Sequence, residues 1–455
     1  VLNRVIEKAF RGSAPAQINV PRDFWTQVID IELPPIVRFE RQGGGKDAVD
    51  RAAKLLSDAK FPVILSGAGV VIGDAIDDCK KLAEKLDAPV CNGYQHNDSF
   101  PGSHPLAVGP LGYNGSKAAM ELISKADVVL ALGTRLNPFS TLPGYGIDYW
   151  PKDATIIQVD MNPDRIGLTK KVTVGICGDA KMVAQQILEK LSSNAGDNGR
   201  EDRKNLIHQT KSAWLQTLTS LDHEDDDPGT VWNKEARERD KDRMSPRQAW
   251  RAIQAGMPED VIISSDIGNN CAIGNAYPTF EKPRKYLAPG LFGPCGYGFP
   301  SILGAKIGCP DTPVIGFAGD GAFGISMNEM SSCAREEWPA ITMVIFRNYQ
   351  WGAEKRNSIL WFDDNFVGTE LDPELSYAKV ANACGLKGVI ANTMEETTKA
   401  IKQSCEDQKK GITTFIEIIL NQELGEPFRR DAMKKPVKVA GISKSDMKPQ
   451  KSLVS

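Results

Sequence analysis

The chain has 455 residues, of which 41% are hydrophobic and 25% charged, and its formal net charge is −3. This length is sufficient for two or three globular domains, and the small net charge gives no electrostatic basis for binding nucleic acid or an anionic membrane. No apolar run is long enough to cross a bilayer, and the nine cysteines form no C-x-x-C pair. We therefore expect a cytoplasmic protein with reduced thiols, and neither a zinc site nor a disulfide framework.

The segment 1–33 contains one helical pattern, followed by one short strand pattern at 16–20. Two such elements cannot bury a hydrophobic core by themselves, so we expect them to complete a domain that lies upstream or in another chain. Residues 34–46, which carry prolines and glycines, are predicted to form a linker.

The region 47–191 alternates short apolar runs with helical patterns, which is typical of a doubly wound α/β domain. Runs that are apolar throughout indicate strands buried on both faces of a parallel sheet. Strands are predicted at 62–66, 88–91, 128–132 and 156–159, and helices at 75–86 and 117–125.

Three glycines follow the first of these strands. Gly67, Gly69 and Gly73 form the pattern G-x-G-x-x-x-G, which is similar to a dinucleotide-binding fingerprint. The fingerprint is incomplete, because no acidic residue ends the next strand, where the sequence is PVCNGYQ. The favoured interpretation is that the glycines allow tight strand-to-helix packing, and a nicotinamide-dependent dehydrogenase is the alternative.

Two charge blocks, HEDDD at 223–227 and EARERDKDR at 235–243, lie within residues 192–244, which we predict to be a solvated linker. A last domain then spans 245–432. It opens with a helix at Ser245-Pro246, a polar cap followed by proline, and its first strand is predicted at 261–264. Residues 433–455 are rich in lysine, lack aromatic side chains and are predicted to be a flexible tail.

The most informative stretch of this last domain predicts a βαβ unit. An apolar run at 314–318 breaks at Gly319-Asp320-Gly321, a helical pattern follows, and a second apolar run at 341–346 ends just before Asn348. The ends of parallel strands meet at one edge of a sheet, so Asp320 and Asn348 are expected to lie close together beside the start of a helix. A carboxylate and an amide oxygen next to a phosphate suit Mg²⁺, so the sequence predicts a magnesium–diphosphate site.

Gly319-Asp320-Gly321, followed 27 positions after Gly321 by Asn348, resembles the thiamine diphosphate motif of the acetolactate synthase-like superfamily. The usual Asn-Asn ending is here Arg347-Asn348. The resemblance implies the α/β fold of those enzymes, with two doubly wound parallel-sheet domains preceded by the remnant of a pyrimidine-binding domain. It also implies that the Asp320 and Asn348 side chains and the Gln350 main-chain carbonyl hold Mg²⁺, and that the cofactor contacts Gly319, Gly321 and Ala322 as well.

Two further segments gain roles from this resemblance. In the superfamily, the residues at Gly268, Asn269 and Asn270 touch the diphosphate, whereas from the sequence alone Asp266 or Asn269 could equally cap a helix. Cys295 occupies the place of the residue that is wedged between the two rings of the cofactor. An inert buried thiol is the equally favoured alternative.

The wording of longer stretches, such as NGYQHNDSFPGSHPLAVGPLGYNGSKAAMELISKADVV, VIFRNYQWGAEKRN and WFDDNFVGTELD, resembles the sulfoacetaldehyde acetyltransferases within that superfamily. The resemblance implies the conversion of sulfoacetaldehyde and phosphate to acetyl phosphate and sulfite, through a thiamine diphosphate adduct, in the catabolism of sulfonates such as taurine. It also implies a homodimer or homotetramer and no flavin. The anionic substrates favour Lys355 and Arg356 as binding residues, with His96, Asn114 and Arg135 as further candidates.

Two other functions stay open from the sequence. An acetolactate synthase-like carboligase or decarboxylase would share the Mg²⁺ site. The superfamily's catalytic glutamate belongs to the part of the pyrimidine-binding domain that precedes Val1, so this chain alone is expected to be inactive. A non-catalytic module that binds thiamine diphosphate is therefore the second alternative.

Overall fold

A computed structural model describes residues 1–12, 14–32, 40–220, 238–290, 292–355 and 367–423. Several sequence predictions lie outside these residues: the tail at 433–455, the acidic block at 223–227, Arg356 and residues 34–39 of the linker at 34–46. Within the described residues, no helix is long and apolar enough to cross a membrane.

The first domain contains a six-stranded parallel sheet with the order β3-β2-β1-β4-β5-β6. Its central strands are buried on both faces because helices cover both sides, which explains their unbroken apolar sequences. Its strands are β1 Pro62–Ser66, β2 Val90–Asn92, β3 Ala107–Pro110, β4 Val128–Leu132, β5 Thr155–Asp160 and β6 Val174–Cys177.

The second domain repeats this architecture with the order β11-β12-β10-β9-β7-β8, again parallel throughout. Two predicted strands, at 314–318 and 341–346, are neighbours in this sheet, as the βαβ pattern requires. Its strands are β7 Ile262–Ser265, β8 Tyr286–Leu287, β9 Val314–Gly319, β10 Thr342–Arg347, β11 Lys387–Ala391 and β12 Thr414–Ile419. The prediction of two doubly wound domains is confirmed.

Helices cover the faces of the two sheets, apart from the N-terminal helix, which has no buried residue among those described. The predicted start at Ser245 is confirmed, because its hydroxyl accepts a hydrogen bond from the Gln248 amide and the Gln248 side chain accepts one from the Ser245 amide. The described helices are α1 Leu2–Gly12, α2 Lys46–Asp58, α3 Ala68–Ile72, α4 Ile76–Leu86, α5 Lys117–Ile123, α6 Ala180–Lys190, α7 Arg200–Ser220, α8 Pro246–Gly256, α9 Asn269–Ile273, α10 Gly298–Gly308, α11 Asp320–Ser326, α12 Met330–Cys333, α13 Tyr377–Ala383 and α14 Met394–Gln408.

The predicted strand at 16–20 is wrong. Those residues are not in a strand, and the apolar side chains Val20, Trp25 and Val28 nearby are exposed. A strand needs a neighbour to accept its backbone hydrogen bonds, and the described chain places none beside this segment. The preceding helical pattern is confirmed as α1.

Part of the predicted linker at 192–244 is instead an ordered extension of the first domain. It contains the long helix α7, whose Arg203 is buried and donates hydrogen bonds to the main-chain carbonyls of Lys60, Leu86, Asp87, Gly196 and Asn198. Trp214 of the same helix is buried and packs against Ala118 of α5. Although its surface is charged, α7 is therefore attached to the first domain by buried contacts.

The glycines after β1 serve packing, as favoured from the sequence. A Cβ atom at Gly67 would lie 2.6 Å from the Gly133 carbonyl oxygen, and one at Gly69 would lie 2.6 Å from the Gly133 Cα. The Gly69 amide donates to that same carbonyl at 2.8 Å. Gly133 follows β4, so the crevice between β1 and β4, where a dinucleotide would enter such a sheet, is filled by backbone.

The two domains meet through the loop that follows β2. The Asn97 amide donates to the carbonyls of Asn275 at 2.9 Å and Pro278 at 2.8 Å. Asp98 accepts hydrogen bonds from the amides of Lys285 and Tyr286 at 2.8 and 3.2 Å. Both side chains are buried, so this loop fixes how the carboxyl edge of the first sheet faces strand β8 of the second.

Candidate active site

The second sheet has its topological switch point between β7 and β9. The chain leaves β7 toward β8 on one side and returns as β9 on the other. Ligands of open α/β sheets bind outside the carboxyl ends of the strands at such a point. Asp266 follows β7 there and Asp320 follows β9, while Asn348 follows β10 next door.

Asp320 lies at the centre of this edge and is 1% exposed. One carboxylate oxygen accepts hydrogen bonds from the Tyr349 amide at 2.6 Å and the Arg347 guanidinium at 3.1 Å, and the other accepts from the Gly321 amide at 2.9 Å. Burial raises the pKa of Asp320 to about 6, although Arg347 and these hydrogen bonds oppose the shift. The carboxylate is thus held in one orientation at the end of β9.

Arg347 links this carboxylate to a second one. It is fully buried, and its Nε lies 3.5 Å from a carboxylate oxygen of Glu417 on β12. It also donates to the main-chain carbonyls of Asp372 and Leu375. Its guanidinium carbon lies 4.2 Å from the centre of the Tyr349 ring. The ion pairs, the hydrogen bonds and the ring contact together hold the Arg347 guanidinium in place in the absence of water.

The donor set at the edge fits a hard cation. Asn348 lies between Arg347 and Tyr349, both of which contact Asp320, and it is 2% exposed. The side-chain oxygen of Gln350 is buried and has no hydrogen-bond partner among the described residues, whereas its amide donates to the Gln422 carbonyl at 3.0 Å. Carboxylate and amide oxygens of this kind are the ligands that Mg²⁺ takes alongside phosphate and water.

The segment after β7 is shaped for a close approach of backbone to a ligand. Gly268 has φ of +123° and open space where a side chain would begin, and it starts α9 without a side-chain cap. The Asn269 amide nitrogen and the Asn270 amide oxygen are buried without a partner among the described residues. The unpaired Asn269 N–H group next to this glycine opening is a donor that fits the diphosphate of a bound cofactor, whereas the Asn270 oxygen can only accept a hydrogen bond.

Asp266 joins the end of β7 to the loop that precedes α10. Its two carboxylate oxygens accept hydrogen bonds from the main-chain amides of Ile267, Gly296 and Gly298 at 2.8, 3.1 and 2.7 Å. Asp266 therefore ties the glycine-rich loop that carries Cys295 to the end of β7. Neither Asp266 nor Asn269 caps α9, but Asp266 accepts a hydrogen bond from the amide of Gly298, the first residue of α10.

Comparisons with known proteins agree with this architecture. Residues 49–187 match the family model described as thiamine pyrophosphate enzyme, central domain, and residues 266–418 match the C-terminal TPP binding domain. A probable sulfoacetaldehyde acetyltransferase of Rhizobium meliloti is 78% identical over 453 residues, which is 100% of this chain and 77% of that protein. Sulfoacetaldehyde acetyltransferases of Roseovarius nubinhibens and Alcaligenes xylosoxydans are 74% and 45% identical, over 99% and 96% of this chain and 75% and 73% of theirs.

The chain belongs to the sulfoacetaldehyde acetyltransferase family. It spans about three quarters of the length of these relatives. A probable acetolactate synthase large subunit of Methanococcus aeolicus is more distant, at 28% identity over 86% of this chain and 65% of that protein. The resemblance stated from the motifs is confirmed at the level of the family, and this acetyltransferase chain carries a thiamine pyrophosphate-binding domain.

The cysteine in the glycine-rich loop of this acetyltransferase chain is not the inert buried thiol of the alternative interpretation. Cys295 is exposed, and partial burial together with the carboxylates of Asp266 and Glu354 raises the pKa of its thiol. The side chain is therefore an uncharged thiol at neutral pH. Its contact with a cofactor stays a prediction.

The candidate substrate residues of the acetyltransferase chain fall in different places. The Lys355 ammonium is paired with Glu370, so its charge is already partly balanced. His96 and Arg135 line one cavity at the boundary of the two domains. Asn114 is buried and has no hydrogen-bond partner for its amide among the described residues, but it does not line that cavity.

Sequence reasoning missed residues that shape the edge of this acetyltransferase domain. Glu417 and Tyr377 both support Asp320, the first through Arg347 and the second by donating its hydroxyl to the Asp320 carbonyl at 2.9 Å. Glu417 is the one carboxylate within the apolar strand pattern of β12, TFIEII, and that is a usable signal. A charged residue inside a fully buried strand needs a partner.

Proposed function

We propose that this chain provides the central and C-terminal domains of an enzyme that converts sulfoacetaldehyde and phosphate to acetyl phosphate and sulfite. The observation that carries the proposal is the identity of 68 to 78% with three sulfoacetaldehyde acetyltransferases over 99 to 100% of the chain. The fold and the edge of the second sheet are consistent with it. The reaction belongs to the breakdown of sulfonates such as taurine.

The cofactors of this proposal are thiamine diphosphate and Mg²⁺. The side chains of Asp320 and Asn348 and the main-chain carbonyl of Gln350 would hold the metal, and Cys295 would lie between the two rings of the cofactor. The remaining cofactor contacts would come from Gly268, Asn269, Asn270, Gly319, Gly321 and Ala322. When bound, thiamine diphosphate supplies an electron sink for cleavage of the bond to sulfite.

The protein's contribution is position and electrostatics. Arg347 fixes the Asp320 carboxylate at the end of β9, and Tyr377 holds the main chain of the same residue. Asp266 fixes the loop around Cys295 through the main-chain amides of Gly296 and Gly298. Because these supports are buried, their orientation is set before a ligand arrives, which is the arrangement that favours stabilisation of developing charge.

The wider setting follows from the same proposal. The nine cysteines are all free, which agrees with a reducing cytoplasmic location. We infer a homodimer or homotetramer, with the domain divisions 1–33, 34–46, 47–191, 192–244, 245–432 and 433–455. Because α7 packs against α5 and its Arg203 bonds to carbonyls of the first domain, the central domain in this division is best extended through residue 220.

The experiment that tests the function measures sulfite release from sulfoacetaldehyde in protein of the relatives' full length, with thiamine diphosphate, Mg²⁺ and phosphate present. Sulfite and acetyl phosphate in equal amounts support the proposal, and sulfite release that ignores phosphate contradicts it. Pyruvate serves as the competing substrate. Acetolactate or carbon dioxide from pyruvate, without sulfite from sulfoacetaldehyde, would assign the chain to the carboligases.

A further inference from the structure

A small cavity lies where the two domains meet. It has a volume of about 190 Å³ and is lined from the first domain by residues that include Gln95, His96 and Arg135, and from the second by residues that include Tyr286, Ala288 and Tyr297. This is roughly six times the share of liquid volume that one water takes, and less than the 300 Å³ or so at which pockets for drug-sized ligands begin. The cavity suits a small ligand.

The charge of the lining is positive. Arg135 is its one formally charged side chain, and no carboxylate lines the cavity among the described residues. Partial burial and the nearby Arg165 lower the pKa of the Arg135 guanidinium, while Asp160 opposes the shift. An arginine stays protonated despite a lowered pKa, because its ordinary pKa lies far above neutral pH. Arg135 makes no hydrogen bond or ion pair with any part of the chain that the structure describes, so its fork of donors is available.

Neutral donors surround this cation. Burial, with a smaller effect from Arg135, lowers the pKa of His96 to about 4, so the imidazole is uncharged near pH 7 and offers one N–H group. The Tyr286 hydroxyl is buried without a hydrogen-bond partner among the described residues and offers a second O–H donor. The buried Gln95 side-chain oxygen also has no partner among those residues, but it can only accept a hydrogen bond. Buried polar atoms of this kind normally have partners, and a ligand in the cavity is one way to supply them.

The backbone that presents these groups is strained. Gln95 has φ of +60° and Leu136, next to Arg135, has φ of +53°. Both conformations are fixed by neighbours: the Gln95 amide donates to the Asn275 side chain at 3.1 Å, and the Leu136 carbonyl accepts from the Thr169 hydroxyl at 2.6 Å. Non-glycine residues held at positive φ collect at ligand sites, where the strain positions a side chain.

The cavity also adjoins the predicted cofactor site. Its wall includes Gly290 and Tyr297, which lie on either side of Cys295 in the glycine-rich loop. That loop is tied by its amides at Gly296 and Gly298 to Asp266, at the switch point of the second sheet. A ligand in the cavity is therefore placed beside the loop that would touch the cofactor.

We propose that this cavity binds a tetrahedral oxyanion, with Arg135 as its charged ligand and His96 and Tyr286 as hydrogen-bond donors. The proposal rests on the proposed function, because the oxyanion is either the phosphate co-substrate or the sulfonate group of the aldehyde. Phosphate and sulfonate share the three- or four-oxygen geometry that a guanidinium fork recognises. The site is a binding site for a reactant and supplies no proton in itself.

The test measures binding directly, without turnover. Inorganic phosphate and methanesulfonate are titrated separately into the full chain by calorimetry, and the same titrations are made with Arg135→Met. Arg284→Met is the matched control, because this arginine lies at the same domain boundary but donates to the Ile72 carbonyl and does not line the cavity. We expect the dissociation constant of the bound anion to rise at least tenfold in Arg135→Met and to change less than twofold in Arg284→Met.

Each outcome decides one point. Binding of phosphate alone assigns the site to the co-substrate, and binding of methanesulfonate alone assigns it to the sulfonate. Competition between the two supports the shared geometry. No binding of either anion to the unaltered chain, or equal binding by Arg135→Met with an unchanged urea midpoint, overturns the proposal.

Turnover at full length separates this proposal from the proposed function. Sulfite release by Arg135→Met with an unchanged KM for both substrates would overturn the oxyanion site and leave the function intact. Arginine-dependent binding of an anion in a protein that releases no sulfite would keep the site and refute the function. If both hold, Arg135→Met raises the KM of the same anion that it binds more weakly in calorimetry.

Discussion

Replacing Arg347 by methionine tests how the C-terminal domain holds its buried carboxylates. The substitution keeps much of the apolar length of the side chain and removes the guanidinium that lies between Asp320 and Glu417. These two acids are 1% and 2% exposed, so water cannot replace the lost partner. Removing one member of a buried ion pair destabilises a protein by about 3–5 kcal/mol.

The remaining contacts set the expected value within that range. Asp320 keeps hydrogen bonds from the amides of Gly321 and Tyr349, and Glu417 keeps bonds from the Ser376 hydroxyl and the Ala378 amide. Because each carboxylate retains two donors, we expect a loss near the lower limit, about 3 kcal/mol. With a urea m-value of about 2–3 kcal/mol/M for a domain of this size, the unfolding midpoint should fall by roughly 1 M.

The assay is urea unfolding followed by tryptophan fluorescence, since Trp250 is buried in the core of this domain. Arg335→Met is the control, because the Arg335–Glu337 pair is exposed and an exposed pair contributes at most about 1 kcal/mol. A second variant, Arg347→Met with Glu417→Gln, removes one of the uncompensated charges and should recover part of the midpoint. If Arg347→Met lowers the unfolding midpoint no more than Arg335→Met does, the buried network of Arg347, Asp320 and Glu417 does not stabilise the domain.

Three further predictions concern the rest of the fold. Arg203→Met leaves five main-chain carbonyls without their donor and should destabilise the first domain by about 3 kcal/mol or more in the same urea assay; an unchanged midpoint would contradict that role. Gly67→Ala places a Cβ 2.6 Å from the Gly133 carbonyl and should destabilise the protein by about 1–3 kcal/mol. The control Gly304→Ala, inside a helix with open space around the new Cβ, should stabilise it by up to about 1 kcal/mol. Equal effects of the two substitutions would refute the packing argument. The folded-state pKa of His96, about 4, lies below its unfolded value, so the stability it contributes is full above about pH 6.5 and falls at lower pH as the unfolded chain takes up a proton. Between pH 7 and pH 5, the free energy of unfolding of His96→Gln should therefore fall by up to about 2 kcal/mol less than that of the unaltered chain. Equal losses in the two proteins would contradict the burial of a neutral imidazole.

Much of the fold could be predicted because buried parallel strands have an unmistakable composition. Strands 62–66 and 128–132 are found at the predicted bounds, since every residue in them is buried. The strand predicted at 88–91 begins instead at Val90, because Pro89 has no amide to donate to its neighbour. Boundaries depend on such hydrogen bonds, which hydrophobic patterns do not record.

The candidate site was predictable where its residues are close in sequence or form a known motif, as with Asp320 and Asn348. The ion pair between Arg347 and Glu417 was not, because 70 positions separate the two residues and neither motif nor periodicity links them. The cavity containing His96 and Arg135 needs the docking of two domains. Residues from three separate stretches of the chain, 94–96, 135–139 and 286–297, become neighbours only after both sheets have formed.

The composite wall of that cavity has a consequence for how new activities arise in this family. The side chains of Asn97 and Asp98 position the two domains by hydrogen bonds to main-chain groups of the second domain. Most side-chain substitutions in the contacted segments, 275–278 and 285–286, would therefore leave these bonds in place. A gene that recombined the central domain of one relative with the C-terminal domain of another would keep this registration and exchange half of the cavity wall at once. Substrate preference could then diversify by shuffling whole domains, with the edge around Asp320 inherited unchanged.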